Sequence, residues 1–132
     1  MVGAGEDGNV DAVRSWVASG ADINVVDLDG VTPLMVASYW HHAECVAEML
    51  RLGADARRVD ISGRTALHRV AWRGRDGGAG AEVVRLLIAA GCDAEARDYF
   101  HLTAGEFAHC GTLAGSARWG ADFRRWVAAA MP

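Results

Sequence analysis

Two groups of histidine and cysteine residues are the first candidates for chemistry. His41 and Cys45 have an i, i+4 spacing, and with His42 they could place metal ligands together on a helix. A structural zinc site, however, needs four ligands at close spacing. His109 and Cys110 could form a base and nucleophile pair, but no orienting acid or helix-start context is apparent. We therefore predict no catalytic residue, no metal and no cofactor, and we expect a protein that is not an enzyme.

The composition limits the class of protein. The 132 residues are 52% apolar and 23% charged, which is typical of one globular domain covering residues 1–132. Apolar runs are too short to span a membrane, and the N-terminus lacks a secretory pattern. Three cysteines without regular spacing do not form a disulfide framework. We therefore expect an intracellular, cytoplasmic protein, with the nucleus as an alternative.

The charge argues against two classes of partner. The formal net charge is −4, although all 13 basic residues are arginine. A mildly acidic protein is not drawn to nucleic acid by its overall field. We predict a monomer that binds neither nucleic acid nor membrane.

Two landmarks recur along the chain at the same interval. Glycines that begin a Gly-x-Asp string are 33 and then 38 residues apart, at Gly20, Gly53 and Gly91. Threonines that follow a turn-like string have the same spacing, at Thr32, Thr65 and Thr103. A fixed period of this length is the signature of a repeat protein.

The longer third interval contains an insertion. The acidic residues that begin the second helical pattern of each copy, Asp11, Glu44 and Glu82, are also 33 and 38 residues apart. The stretch that follows Thr65 matches the preceding copy in length as far as Gly74. The extra residues therefore lie in the Gly-rich segment 75–80, for which we predict a loop.

These strings resemble the ankyrin repeat family, whose unit of about 33 residues carries a Thr-Pro-Leu-His signature. Thr32-Pro33-Leu34 and Thr65-Ala66-Leu67-His68 are imperfect copies of that signature. The resemblance covers about residues 4–111. It implies an all-α solenoid of stacked helix–turn–helix units with β-turn fingers. We predict about four repeats, at about 1–28, 29–61, 62–99 and 100–132, and an irregular C-terminal cap.

Each landmark has a structural role in such a stack. The recurrent threonines cap the first helices, Pro33 fits a first helical position, and Thr103 and Glu106 have capping-box spacing. The recurrent glycines end the second helices. The apolar residues expected in the stack are Trp16, Val17, Met49, Leu50, Leu86, Leu87 and Ile88. Near the C-terminus, helical apolar spacing predicts a capping helix that contains Trp119, Phe123, Trp126, Val127 and Ala130.

The resemblance implies binding of a protein partner through the finger tips and the concave face of the first helices. The finger positions that follow Asp27, Asp60 and Asp98 are Leu28, Asp29, Val31, Ile61, Ser62, Arg64, Tyr99, Phe100 and Leu102. The positions late in the first helices are Tyr39, Trp40, Trp72 and Arg73. Exposed aromatic residues near arginine are typical interface anchors. The alternative is that these rings pack against neighbouring helices.

Several residues have competing interpretations. The arginine cluster at Arg57, Arg58, Arg64, Arg69, Arg73 and Arg75 could bind an acidic partner or a phosphate. We favour a solvated face balanced by nearby aspartates.

His42 matches the inter-helix turn histidine of the family, Cys45 a core position, and His68 the signature histidine that binds the finger backbone. Asn24 matches a finger asparagine that is hydroxylated in some ankyrin proteins, but we favour a turn residue.

A second function class remains open. The repeats could form a structural or regulatory subunit that docks onto an enzyme through the C-terminal cap around Trp119 and Trp126. An exposed face at those two residues would favour it. Partner identity does not follow from the sequence, because one fold serves many functions.

Overall fold

The chain forms helices joined by short turns and fingers. The computed structural model describes residues 9–73, 79–106 and 117–131, with the backbone alone at 73 and 117–122. No strand occurs in these ranges, which confirms the all-α prediction. The helices include α1 Val10–Ala18, α2 Pro33–Tyr39, α3 Ala43–Arg51, α4 Ala66–Arg73, α5 Ala79–Ala89 and α6 Ala117–Ala130, and residues 104–106 are helical as well.

The helices are arranged in two layers. The inner layer contains α2 packed against α4, and the outer layer runs α1, α3, α5, α6 with each helix against the next. Within a repeat, α2 packs on α3 and α4 on α5. Each repeat buries its apolar face only against its neighbours, so the molecule is the predicted solenoid.

Side chains cap the helices where the repeat landmarks predicted. The Thr32 hydroxyl accepts a hydrogen bond of 3.2 Å from the backbone N–H of Met35, and Pro33 follows as the first residue of α2. Asn9 caps α1 in the same way, through Ala12. The recurrent acidic residues lie in the first turns of α1, α3 and α5, where they interact favourably with the helix dipole.

At the two later threonines, a side chain three residues further on also accepts a hydrogen bond from the threonine N–H. At Thr103 the predicted capping box is present: Thr103 Oγ1 accepts from Glu106 N at 3.2 Å, and Glu106 Oε1 accepts from Thr103 N at 3.4 Å. At Thr65 a histidine takes the reciprocal role, because His68 Nδ1 accepts from Thr65 N at 3.2 Å. The signature histidine therefore helps to begin its own helix.

Left-handed residues end the outer helices. Gly20, Gly53 and Gly91 have φ angles of +98°, +99° and +97°, which confirms their predicted role. His41 adopts the same region, with φ +57°, in the turn between α2 and α3. Glycine is usual in that conformation, so the imidazole at this position must have compensating contacts.

The core is continuous along the stack. Among the predicted core residues, Met49 and Leu87 are completely buried, while Trp16, Val17, Leu50, Leu86 and Ile88 are partly buried and pack against it. At the C-terminal end Phe123 is also completely buried. Helix α6 therefore closes the outer layer as the predicted cap.

The predicted insertion loop at 75–80 is wrong at its C-terminal end. Helix α5 begins at Ala79, three residues earlier than the acidic landmark indicated, so Ala79 and Gly80 are helical. A Cβ atom on Gly80 would lie 2.9 Å from Cζ3 of Trp126 and 3.1 Å from Cε1 of His41. Glycine at this position leaves space for the rings of Trp126 and His41. The Gly-rich sequence predicted a loop at the same glycine. Residues 75–78 lie outside the described ranges.

The candidate binding surface

Each finger is built around its recurrent aspartate. One carboxylate oxygen accepts hydrogen bonds of 2.8–3.1 Å from the backbone N–H groups two and four residues later. The aspartate N–H also donates to the carbonyl oxygen four residues later, at 3.0–3.2 Å. The three aspartates with this pattern are Asp27, Asp60 and Asp98. These hydrogen bonds hold the finger backbone without using the side chains at its tip.

Neighbouring fingers are linked through their backbones. Ile61 N donates to Asp29 O at 2.8 Å, and Tyr99 N donates to Ser62 O at 2.9 Å. The inner helices support the fingers from behind, since His68 Nε2 donates to Leu102 O at 2.8 Å. This bond has the role that the family resemblance implied for His68.

Large apolar side chains project from the finger tips. The exposed fractions are 100% for Leu28, 65% for Ile61, 70% for Tyr99 and 68% for Phe100. We call these four residues the finger ridge. Leu28, Ile61 and Tyr99 each directly follow a recurrent aspartate, so they occupy the same register on successive fingers. The other predicted finger positions are less uniform: Asp29 is exposed, while Val31, Ser62, Arg64 and Leu102 are partly buried.

The predicted aromatic residues of the inner helices lie together on the inner layer. The Tyr39 ring meets Trp40 edge to face with centroids 5.2 Å apart, and it meets Trp72 in the same way at 6.1 Å. Trp40 keeps 36% of its surface exposed, whereas Tyr39 and Trp72 are partly buried. Of these three residues, Trp40 therefore has the largest exposed fraction.

Two guanidinium groups cover Trp72. Arg64 Cζ lies 5.4 Å from the centroid of the Trp72 ring, and Arg69 Cζ lies 5.3 Å from it. Arg64 also lies 5.6 Å from the centroid of the Phe100 ring. These contacts favour the packing interpretation for Trp72, because a partner would have to displace charged groups from the ring. The side chain of Arg73 lies outside the described residues.

Three of the six arginines of the cluster form ion pairs within the protein. Arg69 Nη2 lies 2.6 Å from Asp60 Oδ2, Arg64 Nε lies 3.2 Å from Asp98 Oδ2, and Arg58 pairs with Asp55 at 3.8 Å. Asp60 and Asp98 are buried, so each guanidinium compensates a carboxylate removed from water. The balanced-charge interpretation is supported, although two of the pairs are part-buried rather than solvated. Arg75 lies outside the described residues.

The pKa of Asp98 reflects these contacts. Burial raises this pKa, but the Leu102 N–H, the Arg64 guanidinium and the Phe100 N–H all stabilise the carboxylate, and together they hold its pKa below the usual range. The ionised carboxylate is therefore part of the folded finger.

Two of the residues that suggested metal binding, His41 and Cys45, have structural roles. His41 is buried, and its Nε2 donates to Val70 O at 3.0 Å, which links one inter-helix turn to the following inner helix. His42 is the residue directly before α3, and its side chain makes no capping bond. Cys45 is buried at its predicted core position, and burial raises its thiol pKa. No group of three potential ligands occurs within the described residues. His109 and Cys110 lie outside them.

Asn24 links two repeats. Its Nδ2 donates to Gly53 O at 3.2 Å, and its Oδ1 accepts from Asp55 N at 2.7 Å. The amide therefore bridges to the turn of the following repeat, which supports the interpretation as a structural turn residue.

One charged cluster was not foreseen from the sequence. Glu48 on α3 is buried and accepts from Arg51 Nε at 3.1 Å and from Arg14 Nε of α1 at 3.0 Å. The hydrogen bonds from Arg51 and then Arg14 lower the pKa of Glu48 to about 2. The spacing of Glu48 and Arg51 was a visible signal, but the pairing with Arg14 depends on how the repeats stack.

Within the part of the chain that the structure describes, no helix is both long and apolar enough to cross a bilayer.

Comparison with known proteins places the repeats in a family context. Residues 1–98 match the family model for ankyrin repeats, in three copies. The chain is 40% identical over 66 residues to Protein lin-12 of Caenorhabditis elegans, covering 50% of this chain and 5% of that protein. It is 35% identical over 57 residues to the putative ankyrin repeat protein YahD of Escherichia coli strain K12, covering 43% of this chain and 28% of that protein.

A third relative matches a longer part of the chain. Ankyrin repeat and SOCS box protein 3 of Bos taurus is 29% identical over 96 residues, covering 70% of this chain and 17% of that protein. The chain therefore spans less than a third of the length of each of these three relatives.

Proposed function

The chain belongs to the ankyrin repeat family, and we propose that it binds a protein partner through its finger ridge and the concave face around Trp40. Ankyrin repeats generally mediate protein–protein interaction and are typically non-catalytic. A protein-binding role without catalysis is the function that this chain supports best.

The exposure of the finger ridge carries the proposal. Four large apolar side chains are at least 65% exposed on a backbone that does not depend on them. Exposed apolar residues in a row mark interaction sites. A finger tip that faced only water could carry a small or polar side chain at no cost to folding. A rigid backbone also lowers the entropic cost of association.

Trp40 extends this surface onto the inner helices. Trp40 is the C-cap residue of α2 and is more exposed than its neighbour Tyr39. The Tyr39 ring fixes the orientation of Trp40 through an edge-to-face contact. A tryptophan held in one orientation beside an apolar row is a suitable anchor for a partner. Trp72 is assigned to packing, since Arg64 and Arg69 cover it.

The alternative of docking an enzyme through the C-terminal cap receives no specific support. Trp126 is partly buried and packs against the core, and Trp119 lies outside the described side chains. The predictions of a monomer, of a cytoplasmic location and of no nucleic-acid or membrane partner stay predictions.

The test is affinity capture from a lysate of the source organism, with three forms of the chain. These are the wild type, the ridge variant Leu28→Ser/Ile61→Ser, and the control Met131→Ser, which removes an exposed apolar side chain near the cap. Circular dichroism and thermal unfolding establish that each form is folded. Size-exclusion chromatography with light scattering gives its mass in solution.

We expect a protein captured by the wild type and the control to be lost from the folded ridge variant. Loss on Met131→Ser alone would move the interface to the cap. A wild-type dimer that becomes monomeric in the ridge variant would mean that the ridge serves self-association.

A further inference from the structure

We propose that the finger ridge selects a partner segment that combines apolar side chains with lysine or arginine. This inference rests on the proposed function and adds the charge of the partner to it. It follows from which charged groups of the fingers are paired within the protein and which are left over.

The arginines near the ridge are mostly used internally. Arg64 and Arg69 pair with the buried carboxylates of Asp98 and Asp60, Arg58 pairs with Asp55, and Arg97 pairs with Glu106 at 2.9 Å. A guanidinium that already compensates a buried carboxylate cannot turn to an acidic partner without leaving that carboxylate uncompensated. The arginine cluster therefore does not make the surface attractive to an acidic ligand.

The acidic residues of the fingers are in excess. Within the described ranges, no arginine or histidine forms an ion pair with the exposed residues Asp22, Asp27, Asp29, Asp93 or Glu95. Arg57 likewise forms no ion pair with a described carboxylate, and its guanidinium lies against Gly91. The uncompensated charge of the finger edge is thus negative.

The first finger shows most clearly how this excess arises. Asp60 is buried and paired with Arg69, nine residues later on the inner helix. The equivalent of Arg69 in the preceding repeat is Val36, so Asp27 has no cationic partner and remains exposed. Asp29, one position beyond Leu28, is exposed as well. Asp27 and Asp29 therefore flank Leu28 at the tip of this finger, and no basic residue occurs between Asp22 and Asp29.

The same finger also carries exposed apolar side chains. Leu28 is fully exposed, Val25 and Val26 are exposed beside it, and Ile61 and Val59 continue the surface on the second finger. An apolar side chain of the partner would pack against Leu28 and Ile61. Lysine or arginine residues that flank it would lie near Asp27 and Asp29, where complementary charge accelerates association and excludes acidic competitors.

The experiment selects peptides without assuming a partner. A phage-displayed library of random 12-residue peptides is selected on the full folded chain, and the net charge of the enriched sequences is compared with that of the input. We expect enrichment of sequences that combine aliphatic or aromatic residues with lysine or arginine. One enriched peptide is then synthesised, and its Kd is measured by fluorescence anisotropy.

The variant Asp27→Asn/Asp29→Asn tests the charge without changing the finger. The amide oxygen of asparagine at 27 can still accept the two backbone N–H groups that hold the turn. We expect about three- to tenfold weaker binding at low salt, and a smaller difference at high salt because exposed charges are screened. Glu44→Gln removes an exposed charge from the outer face and should change the Kd less than twofold.

The possible failures are distinguishable. Enriched peptides that are acidic, or basic peptides whose Kd is insensitive to Asp27→Asn/Asp29→Asn, overturn this inference and leave the binding function intact. Peptides that bind Leu28→Ser/Ile61→Ser as tightly as the wild type overturn both, as does a folded chain that enriches no sequence.

Discussion

His68 on α4 donates a hydrogen bond from Nε2 to the carbonyl oxygen of Leu102, 2.8 Å away on the third finger. Its other ring nitrogen accepts from Thr65 N, so the imidazole must be neutral in this arrangement. One buried side chain thus begins its own helix and supports the next finger.

The neutral form of His68 predicts a loss of stability in mild acid. Burial lowers the pKa of His68, so the unfolded chain, with a pKa of about 6.5, binds more protons than the folded chain below that pH. The free energy of unfolding should therefore fall as the pH decreases from 7 to 5. Urea unfolding followed by circular dichroism measures it. His68→Asn should flatten this dependence and cost about 1–3 kcal/mol at pH 7, through lost buried hydrogen bonds.

The matched control for this prediction is His101→Asn. His101 is an exposed imidazole with φ +65°, a conformation that asparagine tolerates. Its pH dependence should remain that of the wild type. The assignment to His68 is wrong if the two variants respond alike.

Glu48 predicts a separate effect in stronger acid. Arg51 and Arg14 lower the pKa of Glu48 from about 4.5 to about 2 in the folded chain. Its contribution to stability is therefore complete above about pH 4.5 and disappears as the pH falls towards 2. Glu48→Gln should lower the Tm at pH 6 and reduce the slope of Tm against pH between 4.5 and 2.5. Glu44→Gln on the same helix should leave that slope unchanged; equal slopes in both variants would remove the assignment.

Gly80 predicts an exception to helix propensity. Alanine normally stabilises a helix interior by about 0.5–1 kcal/mol relative to glycine. At position 80 the added methyl would lie 2.9 Å from Trp126 and 3.1 Å from His41, so Gly80→Ala should instead destabilise the chain by about 1–3 kcal/mol.

A second glycine provides the comparison for Gly80. At Gly105 the nearest atom to an added methyl is Cγ of Arg124, 3.2 Å away on a flexible side chain. Gly105→Ala should therefore be neutral or slightly stabilising. Thermal unfolding compares the two variants, and a stabilised Gly80→Ala would contradict the close packing of Trp126 and His41.

The two inner-layer tryptophans should differ on truncation. Trp72→Ala removes a ring packed by Tyr39, Arg64 and Arg69, and it should cost about 2–4 kcal/mol of folding free energy. Trp40→Ala removes a more exposed ring and should cost less than about 1.5 kcal/mol. Denaturant unfolding measures both. If Trp40→Ala proved the more destabilising, its assignment as a binding anchor would be lost.

The regular part of the fold could be predicted from the sequence because its determinants are local and repeated. The threonines predicted where the inner helices begin and the glycines where the outer helices end, although the start of α5 was wrong. Contacts between repeats were not predictable in the same way. The pairing of Glu48 with Arg14 spans 34 residues, and the close packing at Gly80 involves rings from α6 and from the turn before α3.

The candidate surface was predictable only in part for a related reason. Register identified Leu28, Ile61, Tyr99 and Phe100, which remain at least 65% exposed at the finger tips. It could not distinguish Trp40 from Trp72, because the difference depends on guanidinium groups that approach from a finger and from the same helix.

The backbone hydrogen bonds between fingers also bear on how such a protein can diverge. Because main-chain atoms and a carboxylate behind the tip hold each finger, a substitution at position 28 or 61 changes the surface with little effect on the scaffold. Duplicated copies of this chain could therefore change their surfaces one substitution at a time while each version remains folded.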